Sequence, residues 1–244
     1  MTKIQLSHRQ LILVSKQYAL ARIKQLNLRE AQTFHAGNPF LYESNTQNTT
    51  HMCVVDAERN IVSATQSLNQ LFGSRVTTPG TGMLLNNYMA LFDLRLGQAN
   101  SVSGNKRILS SNAPSIVLQD GLPFLCLGTP GGTRIFAAVC QGIINVIDFN
   151  MSIQEAVEAP RIWTMGIQNT PGAKLNMEPG FPSATYEKLR KQGHKILRIS
   201  RIAGGMNGII INHKTGYLHG GACWRADGVP LGFSGGSAYS YWDN

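Results

Sequence analysis

The segment Asn48-Thr49-Thr50-His51 holds the residues whose types could do the most distinctive chemistry in this chain. A Thr hydroxyl keeps its proton too tightly to attack at neutral pH, so a base must remove it. A Thr that begins a polypeptide supplies that base itself, because its free α-amino group titrates near neutrality beside its own side-chain oxygen. Breaking the Asn48 to Thr49 bond would therefore turn an inert hydroxyl into a nucleophile. Asn48 is an ordinary residue for such a cut, and Thr49 taken alone reads as a strand Thr, a position that residue favours. Gly131-Gly132 has a chemical reading too: without Cβ, backbone N–H groups can approach a ligand closely. Taken alone, Pro130-Gly131-Gly132 is a turn that starts a helix, and Ser110-Ser111 are polar loop residues. His51 invites a triad reading with a Ser, but an N-terminal Thr needs no imidazole, so a hydrogen-bonded strand His is the better reading. Asp56 reads as a turn cap rather than an acid.

The order of the segments changes their meaning. Thr49-Thr50-His51 is followed by Ser63-Ala64-Thr65-Gln66-Ser67-Leu68-Asn69, then Asn86-Asn87, Lys106-Arg107-Ile108-Leu109-Ser110-Ser111 and Gly128-Thr129-Pro130-Gly131-Gly132-Thr133-Arg134. In that order they resemble the gamma-glutamyltransferase (gamma-glutamyltranspeptidase, glutathione hydrolase) family of N-terminal nucleophile hydrolases, from about Tyr18 to Phe233. The resemblance implies an α+β fold, an αββα sandwich with the nucleophile at the start of a central strand, incomplete without a large subunit. It implies that residues 1–48 are a remnant of the large subunit's C-terminus and linker, Tyr42-Glu43-Ser44-Asn45 matching its tail, and that residues 49–244 are the small-subunit catalytic domain.

The same resemblance assigns roles. Thr49 is the nucleophile freed by self-cleavage. Ser67 stands where a family Thr hydroxyl bonds the nucleophile, and a Ser can make the same bond. Asn69 matches an Asn that helps hold the substrate. Gly131 and Gly132 match the pair whose N–H groups form the oxyanion hole. Ser110 and Ser111 match the Ser pair that binds the α-carboxylate of a γ-glutamyl group. Two positions depart from the pattern. Tyr88 and Leu91 stand where the family has a Gln and the Asp that grips the α-ammonium, and Asp93 would have to reach round to replace it.

The implied activity is hydrolysis or acyl transfer at a γ-glutamyl amide such as glutathione, through a Thr ester released by water or an amine. An amidase of another specificity keeps the same machinery and explains Leu91. A non-catalytic truncated relative is the third reading. No metal or cofactor is called for, and no metal-ligand spacing is present. The expected partner is a large subunit, without which the chain would self-associate and show no turnover.

The elements that must position these residues are legible in part. Residues 1–28 have an imperfect three-to-four apolar spacing that predicts a helical start. Residues 27–48 read as a surface linker. Strands are expected at 52–55 and 61–68 around the turn Ala57-Glu58-Arg59-Asn60, and a short one at 83–85. A second hairpin pairs 115–118 with 124–127 across Gln119-Asp120-Gly121. Helices are predicted at 133–148, at 152–159 behind a Ser152–Glu155 capping box, and at 186–193. Strands follow at 195–199, 208–211 and 217–222, and residues 234–244 read as a frayed Gly/Ser-rich end.

Composition sets outer bounds. The chain has 244 residues, 43% of them hydrophobic, enough for one large domain or two small ones. Lys and Arg outnumber Asp and Glu by 22 to 13, a formal +9, yet they are scattered and accompany no recognition motif. That weighs against nucleic acid and suits a small carboxylate or an acidic partner chain. Cys53, Cys126, Cys140 and Cys223 are too far apart for a zinc spacing and read as buried thiols. No apolar run is long enough to span a bilayer. Residues 11–14 are too short for the core of a secretory signal, so no export address is expected in this chain, although the family is often periplasmic or extracellular.

Overall fold

Side-chain alternation organises the first hairpin. β1 (Thr49–Val55) and β2 (Ile61–Ser67) pair antiparallel from Thr49↔Ser67 to Val55↔Ile61. His51 is buried on one face while Met52, Val54 and Val62 stand out on the other, as the period of two requires. The Asp56 carboxylate accepts from both the backbone and side-chain N–H groups of Asn60, which closes the turn.

These features come from a computed structural model that describes residues 16–24, 49–164 and 174–232. The chain divides into two compact units, Met1–Asn48 and Thr49–Asn244. In the first, helix α1 (Lys16–Ile23) falls within the stretch read as a helical start. The expected linker at 27–48 and the frayed end at 234–244 lie outside the described residues.

In the second unit, β3 (Ser115–Gln119), β4 (Leu122–Gly128), β8 (Asn207–Ile211) and β9 (Leu218–Ala222) form an antiparallel sheet in the order β3-β4-β8-β9. Leu125 and Leu127 of β4 face α2 (Ile135–Ile147) and α3 (Ile153–Glu158), packing with Ala138, Val139, Val146, Ala156 and Val157 in the main core. Helix α3 begins on the predicted capping box, with Ser152 and Glu155 bonding each other's backbone. The β1–β2 sheet covers the opposite face of this larger sheet. Asn207 Nδ2 donates to the His51 carbonyl at 2.9 Å and Ser63 Oγ to the Leu127 carbonyl at 3.5 Å. The layers therefore run sheet, sheet, helix, an α+β sandwich.

A third sheet, β5 (Ile162–Thr164), β6 (Lys174–Met177) and β7 (Lys195–Arg198), contains the one parallel pair among these three strands, β6 with β7, joined through α4 (Ser183–Lys191). Three expectations need correction. Residues 83–85 make only an isolated bridge, Thr77↔Leu84, flanked by backbone bonds from Thr78 N to the Met83 carbonyl and from Leu85 N to the Val76 carbonyl, a pairing too short to count as a strand. Helix α4 starts at Ser183, three residues before the expected 186, directly behind Pro182, whose extended backbone ends the preceding turn. β5 and β6 went unread since three- and four-residue strands show too little alternation.

Buried charge ties the parts together. Glu178, Arg161 and Arg225 are each at most 3% exposed. The Glu178 carboxylate accepts from Arg225 Nε and Nη2, from Arg161 N and from Ile202 N. Arg161 donates on to the carbonyls of Val157, Ile202 and Gly204, and Arg225 to those of Val157 and Ala159. The two guanidinium groups thus tie backbone carbonyls of α3 and the 202–204 loop together, and Arg225 also pairs with the Glu178 carboxylate.

Candidate active site

The register that pairs Thr49 with Ser67 also brings their hydroxyls together: Thr49 Oγ1 donates to Ser67 Oγ at 3.0 Å. Ser67 Oγ accepts a second bond, from Asn69 N at 2.8 Å, and Asn69 adopts a left-handed backbone with φ 72. That turn ends β2 and aims the Asn69 side chain at Asn87. Asn69 Nδ2 lies 3.1 Å from Asn87 Oδ1, Gln70 N donates to the same oxygen, and Asn87 Nδ2 donates back to Gln70 Oε1. The Asn86-Asn87 doublet thus clamps the loop after β2, a position its polar, turn-favouring residues suit.

β4 delivers the glycine pair. Ser63, which pairs with Cys53, touches Leu127, and one step along His51 packs on Gly128, where an added Cβ would come within 2.2 Å of the imidazole Cε1. β4 ends at Gly128, and the glycine pair follows three residues on. There Gly131 has φ 154 and Gly132 φ 57, the second a left-handed conformation that side chains resist. Neither N–H is used by another group among the described residues. A 3-10 turn, Gly132–Arg134, then leads into α2, and the Arg134 guanidinium stacks 5.0 Å from the centre of the Trp163 ring. Ser111 Oγ donates to the Gly132 carbonyl at 2.7 Å, tying the serine pair to the glycine pair. Asn112 N donates to Ser110 Oγ at 3.2 Å, and Asn112 Nδ2 reaches Tyr88 Oη at 3.4 Å.

Of the seven residues singled out in the sequence, Thr49, Ser67 and Asn69 are joined by hydrogen bonds at the end of the first hairpin, Ser111 is bonded to Gly132, which Gly131 precedes, and Ser110 is bonded to Asn112. What the sequence reading missed is Asn112 and the Tyr88 hydroxyl. Nothing in local pattern marks either, since the two are 24 residues apart.

The neighbouring titratable groups are placed elsewhere. His51 Nδ1 meets Thr65 Oγ1 at 2.9 Å and Nε2 meets Cys53 Sγ at 3.2 Å, so both ring nitrogens are engaged between the sheets and neither serves Thr49. Burial lowers its pKa to about 4, which keeps the ring neutral. The adjoining Cys126 thiol, and after it burial, push the Cys53 thiol well above its ordinary range, leaving it unreactive. Asp93 binds Arg95 through both oxygens, at 3.0 and 2.7 Å, and that partner lowers its pKa to about 2. Among the described residues no group of His, Cys, Asp and Glu is arranged to hold a metal, and no helix is long and apolar enough to cross a membrane.

Two stacked sheets with a Thr at the head of a strand and a hydroxyl beside it fit the N-terminal nucleophile hydrolase class. The comparisons with known proteins give the family. A profile described as gamma-glutamyltranspeptidase matches residues 4–233. The Acylase ACY 1 proenzyme of Pseudomonas sp. (strain SE83) is 46% identical over 93% of this chain and 39% of its own length. The Glutathione hydrolase proenzyme of Bacillus subtilis (strain 168) is 35% identical over 82% of this chain and 35% of its own. A crystal structure of Helicobacter pylori gamma-glutamyltranspeptidase superposes with a TM-score of 0.64 at 37% identity, covering 72% of this chain and 100% of that one. The chain belongs to the gamma-glutamyltranspeptidase family. It spans under two fifths of the length of these two curated relatives, 39% and 35%.

Proposed function

We propose that this chain is the catalytic portion of an amide hydrolase and acyltransferase that works through Thr49 once the Asn48–Thr49 bond has been cut. The observation that carries the reading is the 3.0 Å contact between Thr49 Oγ1 and Ser67 Oγ at the start of β1. The freed α-amino group of Thr49 takes the proton from Oγ1. Ser67, already held by Asn69 N–H, turns its own hydroxyl to donate to the alkoxide. Oγ1 attacks the amide carbonyl, and the charge on its oxygen is met by the N–H groups of Gly131 and Gly132, each such donor being worth about 3 to 4 kcal/mol. The departing amine leaves with the proton, and water or a second amine then releases the acyl group from the Thr49 ester. Ser110 and Ser111 hold the carboxylate at the far end of the acyl group, and Asn69 helps hold the substrate. Residues 49–244 form the catalytic domain, 1–48 belong with a large subunit, and that subunit is the protein partner.

Substrates of the γ-glutamyl type, glutathione included, are the first class to test, as amides whose acyl carboxylate meets Ser110-Ser111. A second class, glutaryl-type amides that lack the ammonium, is favoured by a specific observation. Leu91 offers nothing to an ammonium, and Asp93 has both oxygens on Arg95. The similarity to an acylase at 46% identity supports amide cleavage without choosing between the two classes. The test is turnover of γ-glutamyl and glutaryl p-nitroanilides by the chain assembled with its large subunit. Thr49→Ala should abolish turnover of both, while Thr50→Ala, altering an exposed strand residue, should leave it measurable. Full activity in Thr49→Ala would remove the assignment.

A further inference from the structure

We infer that the Tyr88 hydroxyl is a specificity-determining hydrogen-bond donor to the free carboxylate of the acyl group, and that the site selects amides of dicarboxylic acids. The inference rests on the reading of Thr49 and the serine pair given above. Three observations lead to it. First, position: Tyr88 directly follows Asn87, which is bonded to Asn69 and Gln70 at the end of β2, and whose N–H donates to the Leu68 carbonyl at 3.2 Å. The phenol tip touches Asn112, the residue whose N–H donates to Ser110 Oγ. Tyr88 therefore stands between the nucleophile's strand and the serine pair.

Second, capacity: a phenol has one O–H to give and lone pairs to accept with. Asn112 Nδ2 uses an acceptor position at 3.4 Å, and no acceptor for the O–H itself is found among the described residues. Asn112 holds the ring tip in place and leaves the donor unspent. Ser111 is different, having committed its hydroxyl to the Gly132 carbonyl, so the serine pair in this arrangement offers fewer donors than two hydroxyls suggest.

Third, charge: from Asn86 to Asn112 the sequence has one acid, Asp93, against Arg95, Lys106 and Arg107. That acid is held by Arg95, and the Tyr88–Leu91 turn itself carries none. The segment that carries Tyr88 and the serine pair is thus richer in bases than acids, which suits an anionic ligand end better than a cationic one. An O–H donated to a carboxylate is among the stronger neutral-to-ion hydrogen bonds, worth about a tenfold change in affinity or more.

The test uses Tyr88→Phe, which removes one oxygen and keeps the ring, in the assembled enzyme. With glutaryl p-nitroanilide the variant should raise KM about tenfold with kcat altered less than about twofold, as expected for a contact equal in ground and transition states. Butyryl p-nitroanilide, which has no far carboxylate, should show the same kinetics in both proteins. Glutarate, which cannot be turned over, gives a second readout by calorimetry in the processed parent enzyme and in Tyr88→Phe, and the variant should bind about tenfold more weakly. An unchanged glutarate affinity in Tyr88→Phe, no glutarate binding to the processed parent enzyme, or an equal loss on glutaryl and butyryl substrates would each overturn the inference. Tyr88-dependent glutarate binding without any Thr49-dependent turnover would instead count against the hydrolytic reading alone.

Discussion

At the scale of single residues, the account turns on hydroxyls whose neighbours give them work. Ser67 touches both Thr49 and Asn69, so Ser67→Ala should lower kcat with little change in KM, while Ser67→Thr, which keeps the hydroxyl, should restore most of the rate; steady-state kinetics on the assembled enzyme checks both. His51 sits two residues from the nucleophile and does something different. Its pKa falls from 6.5 to about 4 in the folded chain because burial disfavours the cation. An unfolded chain then binds the proton more readily than the folded one, so this group's stability contribution is complete above pH 6.5 and is lost as pH falls toward 4. Denaturant melts should show the midpoint dropping across that window in the parent protein. In His51→Gln, which cannot titrate, the drop should be shallower, and an identical slope would show that the imidazole is not the cause.

At the scale of elements, the site depends on how closely β1 approaches β4. Gly128 gives that approach: a Cβ there would fall 2.2 Å from the His51 ring, a separation no contact tolerates. Gly128→Ala should therefore destabilise the protein by about 2 kcal/mol or more and reduce activity together, because the sheets must part to admit the methyl group; thermal melts and kinetics read the two effects. Much of this geometry was legible beforehand. The hairpin β1–β2 is set by β-branched alternation and a polar turn, the hairpin β3–β4 by Asp120-Gly121, and the start of α3 by its capping box. Each signal is local. The parts that escaped were set by distant partners. β5 and β6 are held by backbone pairing to each other and to β7, the Thr77↔Leu84 bridge stands where a strand was expected, and Asn112 meets Tyr88 only after the loops have folded. The glycine pair was legible as a turn leading into a helix, and it has the positive φ values that suit glycine. Its link to the serine pair through Ser111 needed coordinates.

At the scale of the whole molecule, two features pull in opposite directions. The Glu178–Arg161–Arg225 cluster locks α3, the end of β6 and the 202–204 loop into one unit, at the cost of burying charge. Removing its acid leaves two buried cations, so Glu178→Ala should cost about 3 to 5 kcal/mol in a denaturant titration. Against that stability stands an open apolar face. Met52, Val54 and Val62 are 43%, 52% and 55% exposed on the outer side of the β1–β2 sheet, and Leu94, Leu96 and Leu109 are exposed in the loops. Such a surface is an interface or an aggregation site. Sedimentation of the purified chain should find self-association or, with a large subunit, a complex; a stable monomer active by itself would contradict this.

The central claim is that Thr49 becomes a chain terminus and then a nucleophile, and mass spectrometry tests it most directly. The chain should be co-expressed with the proposed large subunit, purified, exposed to a diazo-ketone glutamine analogue and measured as intact protein. The account predicts a species beginning at Thr49, carrying one equivalent of the label on that residue, and an uncleaved, unlabelled product from Thr49→Ala. An intact Asn48–Thr49 bond in an active preparation, or a label that remains in Thr49→Ala, would contradict it.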